Sequence, residues 1–198
     1  MCFHIQQNKS LQEIEGQFKA KLLLKHSFMT GLFSGFEFPR TPIICNNKPE
    51  IIEMANWGLH PNWADENWNK SYTLNARMET LHEKPSFKSI LNNRCIIISD
   101  GFFEWQHQGK IKTKYEIGFN NNLFAFAGLF DLRNGVKTYS IITTEAQGIM
   151  REIHNTKMRM PVAFKTAKSW NHWLENGKAI PNFNFSYKNI DPIQLRLF

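Results

Sequence analysis

Cysteine stands at position 2, in Met1-Cys2-Phe3-His4. Once Met1 is removed, that residue presents a free α-amine and a thiol on adjacent carbons, a pair that only an N-terminal cysteine offers. A 1,2-aminothiol meets an aldehyde in two steps: the amine forms an imine, and the thiol closes on the imine carbon to give a five-membered ring. Both groups suit neutral pH, since an α-amine titrates near ~8 and a thiol near ~8.5, against ~10.4 for lysine. Carrying both on one residue makes the second step intramolecular. Many chains nevertheless begin Met-Cys by chance, and a cysteine without a partner is usually a small buried apolar residue.

Other polar residues stand out by context. Glu104 lies in Asp100-Gly101-Phe102-Phe103-Glu104-Trp105. A carboxylate among aromatics is desolvated, its pKa rises, and it becomes fit for proton transfer near pH 7. Asn75 lies in Thr73-Leu74-Asn75-Ala76-Arg77, and His154 precedes Asn155-Thr156-Lys157-Met158-Arg159-Met160-Pro161. Arg77 and Arg159 each follow one of these residues, and arginine suits bidentate phosphate contact. Singly, each has an ordinary reading: an edge-strand glutamate facing solvent, a turn asparagine, a helix-end histidine, a surface ion pair.

The 198 residues bound these groups to a single domain spanning 1–198, and 42% hydrophobic and 14% aromatic content suffices for a core. The net charge of +7 favours a polyanionic partner, nucleic acid being the usual one. Cys2, Cys45 and Cys95 are odd in number and far apart, so neither a disulfide framework nor a zinc ribbon is indicated, and a reducing compartment is expected. No metal site or cofactor is expected: the phosphate-loop, dinucleotide, nucleophile-elbow and zincin signatures are missing. His82-Glu83 lacks the P-C-x-x-C that a deaminase requires. The first 25 residues have no long apolar run, so no secretory leader and no membrane association are expected.

Ser10 and Glu13 form a capping-box pair, and Leu11, Ile14, Phe18 and Leu22 recur at helical spacing, which predicts a helix over 10–25. Strands are predicted at 43–45, 51–57, 94–99, 102–106, 115–119, 123–127 and 138–143, with 115–119 and 123–127 joined as a hairpin through Asn120-Asn121-Asn122. Short helices are expected within 145–153 and over 166–174. Strands without regular intervening helices argue against a parallel α/β sheet. The expected architecture is α+β: mixed, mostly antiparallel sheets curled into a barrel-like core with peripheral helices.

Together the segments Met1-Cys2, Trp57-Gly58-Leu59-x-Pro61-x-Trp63, Asn75-Ala76-Arg77-x-Glu79-Thr80, Gly101–Trp105, Ile141–Ala146 and Arg159-Met160-Pro161 resemble the SRAP family of SOS-response-associated peptidases, or abasic-site processing proteins. The resemblance runs from Cys2 to about Leu174. It implies the SRAP fold and a mature Cys2 that traps the ring-opened aldehyde of an abasic site in single-stranded DNA as a thiazolidine. It further implies that Asn75 holds the N-terminus, that Glu104 shuttles protons, and that His154 assists sugar opening and crosslink reversal. Arg77 and Arg159 would hold the phosphates flanking the lesion, with Arg40, Pro39 and Trp63 along the DNA groove. The implied protein is a cytoplasmic monomer, nucleoid-associated if bacterial, whose peptidase activity is chiefly removal of Met1. A thiol hydrolase acting on peptide bonds, with Cys2 as nucleophile, is the competing expectation. Two departures are visible. Phe3-His4 stands where most members have Gly-Arg, and three extra residues separate His154-Asn155 from Arg159.

Overall fold

The computed structural model describes residues 2–23, 25 and 28–191; Met1, whose removal is expected, and residues 192–198 of the expected domain lie outside them. Five strands close into a barrel: β4 (Arg40–Cys45), β5 (Ile51–Trp57), β7 (Arg94–Ser99), β10 (Phe124–Arg133) and β11 (Val136–Glu145). Their order is β11-β10-β7-β4-β5, and a parallel pairing of β5 with β11 (Thr138 opposite Asn56, Tyr139 opposite Trp57) shuts the ring. Successive side chains of a strand point to opposite faces, and here both faces are buried, so alternate residues enter two separate clusters. Ile43, Cys45, Cys95, Ile97, Phe124 and Phe126 share one buried cluster; Ile44, Ile96, Ile98, Ala125 and Ala127 share the other.

The second cluster is covered by helices α1 (Leu11–Phe18) and α3 (Ala167–Asn176), through Ile14, Phe18, Trp170, Trp173 and Leu174. The capping box of α1 is present, Ser10 Oγ accepting from the Glu13 amide. The helix ends earlier than its apolar spacing predicts. Lys19 turns left-handed at φ 52° and Lys21–Leu22 pairs with β5 as strand β2, so Leu22 joins the core from a strand. Leu24, in the expected last turn, lies outside the described residues.

A second sheet lies beside the barrel in the order β14 (Ser186–Asn189), β9 (Ile111–Gly118), β8 (Gly101–Gln108), β1 (His4–Gln7), β3 (Gly31–Ser34), all antiparallel. This arrangement overturns the expected hairpin at Asn120–Asn122. β9 pairs with β8 and β14, whereas β10 pairs with β7 and β11, so the asparagines carry the chain from one sheet to the other. Asn120 and Asn121 do take the left-handed conformation a tight turn needs, at φ 54° and 58°. Local turn chemistry was right, and long-range pairing chose different partners. The mixed, mostly antiparallel sheets, barrel core and peripheral helices otherwise match expectation.

Three short strands finish the scaffold: β13 (Ala163–Phe164) pairs with β10, and the other two carry polar residues. The segment β6 (Asn75–Arg77) runs parallel to β11, with Asn75 opposite Ile141 and Arg77 opposite Thr143. The segment β12 (Arg159–Pro161) is antiparallel to β11, with Pro161 opposite Thr143 and Arg159 opposite Glu145. The last residues of β11 are therefore flanked by both arginine-bearing strands. Neither is longer than three residues, too short for hydrophobic periodicity to reveal.

Candidate active site around Cys2

Cys2 is brought to the barrel by its own strand. The register of β1 against β8 sets His4 opposite Phe103 and Ile5 opposite Phe102, and its continuation brings Phe3 level with Glu104 and Cys2 level with Trp105. Asp100 locks that register: its Oδ2 accepts from the Asn8 and Lys9 amides at 2.7 and 2.8 Å. Cys2 itself is fully buried among Ile43, Trp57, Leu74 and Tyr139, not exposed as an aldehyde trap is expected to be. Apolar packing and strand pairing, rather than solvent, surround it. Burial accordingly pushes its thiol well above the ordinary range, with the Glu104 charge adding to the shift.

Asn75 reaches this residue directly, its Nδ2 donating to the Cys2 carbonyl at 2.9 Å. The placement has a traceable cause. The indole N–H of buried Trp57 donates to the Leu74 carbonyl at 2.9 Å, and the Ile141 amide donates to the same oxygen at 3.1 Å. Trp57 in turn stacks on Tyr139, whose hydroxyl bonds Thr41 at 2.6 Å. Barrel core, Leu74, Asn75 and Cys2 are thus one chain of contacts. Trp57-Gly58 must also turn sharply. Gly58 adopts φ +108°, and a Cβ there would lie 2.8 Å from Phe38 Cδ1. Only glycine fits.

Glu104 and His154 meet at the same site, Glu104 from β8 and His154 from the end of α2 (Met150–Ile153). His154 Nε2 lies 3.7 Å from Glu104 Oε2, and the two side chains are only 8% and 6% exposed. Burial raises the Glu104 carboxyl to about 7. Burial likewise lowers His154 to about 4, the contact with Arg159 only partly opposing it. His154 Nδ1 lies 2.8 Å from the Arg159 carbonyl and 3.2 Å from its amide nitrogen. The carbonyl accepts from Nδ1 in one tautomer and the amide donates to Nδ1 in the other, so the Arg159 backbone serves the ring in either form while Nε2 faces Glu104. At pH 7 the pair is a neutral imidazole beside a carboxyl balanced between its two forms, an arrangement able to take up or release one proton.

The three extra residues after Asn155 do not disturb the site. The Met158 amide donates to the His154 carbonyl at 2.9 Å, closing one turn, and the Met158 carbonyl accepts from Ala146 at 2.9 Å. Met158 takes φ 52° to make this closure. The extra residues form an exposed bulge, and Arg159 still arrives beside the imidazole.

The predicted DNA-contacting residues divide. Arg77 and Arg159 stand on either side of β11 near Thr143. Arg159 already has partners: its Nη1 and Nη2 grip the Glu79 carboxylate at 3.0 and 2.8 Å, and Nη2 donates to the Thr143 carbonyl at 2.8 Å. Despite partial burial, that grip lowers the Glu79 carboxyl to about 2. Arg40 donates to the Met54 carbonyl at 3.1 Å, the Pro39 carbonyl accepts from the Trp57 amide at 2.8 Å, and Trp63 donates its indole N–H to Pro85 at 3.2 Å. Trp63 is 56% exposed and meets Trp68 edge-to-face, with Tyr72 beyond. Sequence reading missed Glu79, Asn155 and the Trp57–Leu74 contact. Glu79 was visible only as part of the Asn75–Thr80 segment, and no local signal pointed to the other two.

A buried cysteine at position 2 held by an asparagine, with a Glu–His pair beside it and a closed barrel beneath, is the arrangement that the family resemblance implies. The family model described as SOS response associated peptidase (SRAP) matches residues 1–191, and the chain belongs to that family. Among its relatives, abasic site processing protein YoqW of Bacillus subtilis is 39% identical over 150 residues, 71% of this chain and 65% of that protein. Abasic site processing protein HMCES of Xenopus tropicalis is 30% identical over 178 residues, 75% of this chain and 52% of that protein. The matches thus span between half and two thirds of these relatives. An X-ray structure of a Bacteroides thetaiotaomicron protein aligns with TM-score 0.85 and 29% identity over 96% of this chain and 92% of its own.

Proposed function

We propose that this protein processes abasic sites in single-stranded DNA by forming a covalent crosslink through Cys2 after Met1 is removed. The observation that carries the reading is the convergence on Cys2 of Asn75, bonded to its carbonyl, and of the buried Glu104 next to His154. The names of the SRAP relatives support its coarser part, the processing of abasic sites.

Removing Met1 converts the Cys2 amide nitrogen into an amine. That nitrogen attacks the C1′ aldehyde carbon of the opened sugar, giving a carbinolamine. Protonated Glu104 donates to the departing hydroxyl, water leaves, and an imine forms. The imine forms protonated, its nitrogen keeping one of the amine's two hydrogens; the thiol sulfur adds to the imine carbon as its proton returns to the Glu104 carboxylate, so the nitrogen becomes the ring N–H and the net change is the loss of one water. His154, neutral at pH 7 and within reach of Glu104, relays protons when the sugar opens or the ring reverts. Closing the ring removes the aldehyde whose neighbouring C–H acidity drives strand cleavage.

A thiol of raised pKa suits this order of events, because the amine acts first and the sulfur attacks an already activated carbon. It suits peptide hydrolysis less, since that needs a thiolate at the start. Arg77, Arg159, Arg40, Pro39 and Trp63 would line the strand, with Trp63 offering an exposed ring for base stacking.

Incubation with an abasic single-stranded oligonucleotide should give a band resistant to denaturing electrophoresis. Its intact mass should equal protein without Met1 plus DNA minus one water. The same adduct from Cys2→Ala would refute the assignment.

A further inference from the structure

The Glu104–His154 contact joins two elements distant in sequence, and β1 does not hold them together. Strand β1 pairs with β8 only at Gly101–Phe103, so beyond Glu104 no strand among the described residues lies along that edge of β8. Unpaired edge groups invite another partner. Here a side chain fills the place. Asn155 Oδ1 accepts from the His107 amide at 3.1 Å, and Asn155 Nδ2 donates to the His107 carbonyl at 2.8 Å. One amide side chain thereby satisfies both backbone groups of one residue, as a rung from a neighbouring strand does. A second link, from Gln106 Nε2 to the Glu152 carbonyl at 3.1 Å, ties β8 to α2 just before the histidine.

We propose that Asn155 is a positioning residue: by pairing with the His107 backbone it holds the turn carrying His154 in its 3.7 Å contact with Glu104. The inference rests on the crosslinking reading above only for its kinetic consequence. It follows from adjacency. Asn155 is bonded to His154, and His107 lies three residues along the strand from Glu104, so fixing one pair fixes the other. The bulge at Thr156–Met158 makes the anchor needed, because the turn is longer and exposed. Aspartate could accept from the His107 amide but would set a carboxylate oxygen against its carbonyl, so only an amide makes both contacts.

Two measurements test this. The first follows the His154 ring by NMR titration in the wild type, Asn155→Ala and Asn155→Asp. Among the described residues the groups facing that ring are Glu104 and His107 from β8 and Arg159 from β12, and the charge of the terminal amine acts on it as well. Release of the turn hydrates the imidazole, so its midpoint should rise from about 4 toward the ordinary value. An unmoved midpoint in both variants overturns the proposal. The second is a double-mutant cycle on the crosslinking rate with His154→Ala. Asn155→Ala should slow the wild type by roughly 3–10-fold, the range expected for one or two exposed hydrogen bonds. It should leave binding of an intact strand unchanged and add nothing in the His154→Ala background. Equal slowing in both backgrounds overturns the proposal. If the wild type forms no Cys2-dependent adduct, the crosslinking reading fails, and the titration still decides the role of Asn155. Thermal melts identify an unfolded variant; the aspartate form keeps one of the two bonds and so serves if the alanine form does not fold.

Discussion

Glu104 Oε2 and His154 Nε2 stand 3.7 Å apart in a buried site, and burial moves their pKa values in opposite directions, to about 7 and about 4. The acid has become a weaker acid and the base a weaker base, so both are neutral over much of the range between those values. This sets a pH dependence of stability whose sign can be worked out. Glu104 has a folded pKa above its ordinary one, so its contribution is fully present below about 4.5 and lost as pH rises through about 7. His154 has a folded pKa below its ordinary one, so its contribution is present above about 6.5 and lost as pH falls through about 4. Glu104→Gln removes the first dependence. It should stabilise the protein at pH 8 by on the order of 3 kcal/mol at most, with the gain vanishing near pH 4.5. Denaturant melts of both proteins at pH 4.5, 6 and 8 check this, and a gain that is independent of pH contradicts it.

Asn75 reaches Cys2 through a core contact, so the core should affect the chemistry. Trp57→Phe keeps the ring in the barrel but deletes the N–H that holds the Leu74 carbonyl. Asn75→Ala deletes the final contact, the bond to the Cys2 carbonyl. Removing one partner of a buried hydrogen bond costs about 1–3 kcal/mol. Asn75→Ala should therefore slow crosslinking by roughly 5–100-fold, and Trp57→Phe should slow it in the same direction by less. Single-turnover rates with saturating abasic oligonucleotide provide the comparison. A Trp57→Phe protein of wild-type rate and lowered melting temperature would confine the tryptophan to a structural role.

How far the sequence led follows the same division between local and long-range causes. Residues 51–57 and 94–99 are strands with the expected bounds, because short apolar runs rich in isoleucine, such as Cys95–Ile98, are a strand signal that needs no distant partner to be read. The Ser10–Glu13 cap was likewise legible. The three-residue strands at Asn75 and Arg159 were not, since their only reason to be strands is β11 lying between them. The hairpin at Asn120–Asn122 failed for the complementary reason, as its turn chemistry was sound but its flanking strands found better partners elsewhere. Cys2, Asn75, Glu104 and His154 could be named from residue type and motif. Their meeting depends on register, and the burial of Cys2 contradicts the exposed terminus that aldehyde trapping suggests.

Gly58 tests how tightly the fold holds the segment between barrel and Trp63. Its φ of +108° is outside the range of L-residues, and a Cβ would also fall 3.0 Å from Lys70 Cβ, besides the ring of Phe38. Backbone strain and overpacking each cost about 1–3 kcal/mol. Gly58→Ala should thus destabilise the protein by roughly 2–5 kcal/mol in urea melts. A loss under 1 kcal/mol would mean that Phe38 moves aside with ease.

Arg159 is the predicted phosphate contact whose guanidinium is already engaged, and this makes Glu79 the residue to change. Glu79 holds both terminal nitrogens of Arg159, and Thr144 Oγ1 donates to the same carboxylate at 3.1 Å. A phosphate arriving at Arg159 must compete with that carboxylate and meets its negative charge. Glu79→Gln retains the shape of the side chain and a carbonyl oxygen for Thr144, but removes the charge. If Arg159 contacts DNA, binding of an intact single strand should tighten by a few-fold at low salt. The slope of log K against log salt should steepen by about 0.7, the increment for one more phosphate neutralised on a single strand. The double variant Glu79→Gln/Arg159→Ala should lose both effects. An unchanged slope in the single variant would show that Arg159 instead serves the site from within, by keeping its backbone carbonyl on His154 Nδ1 and its side chain on Thr143.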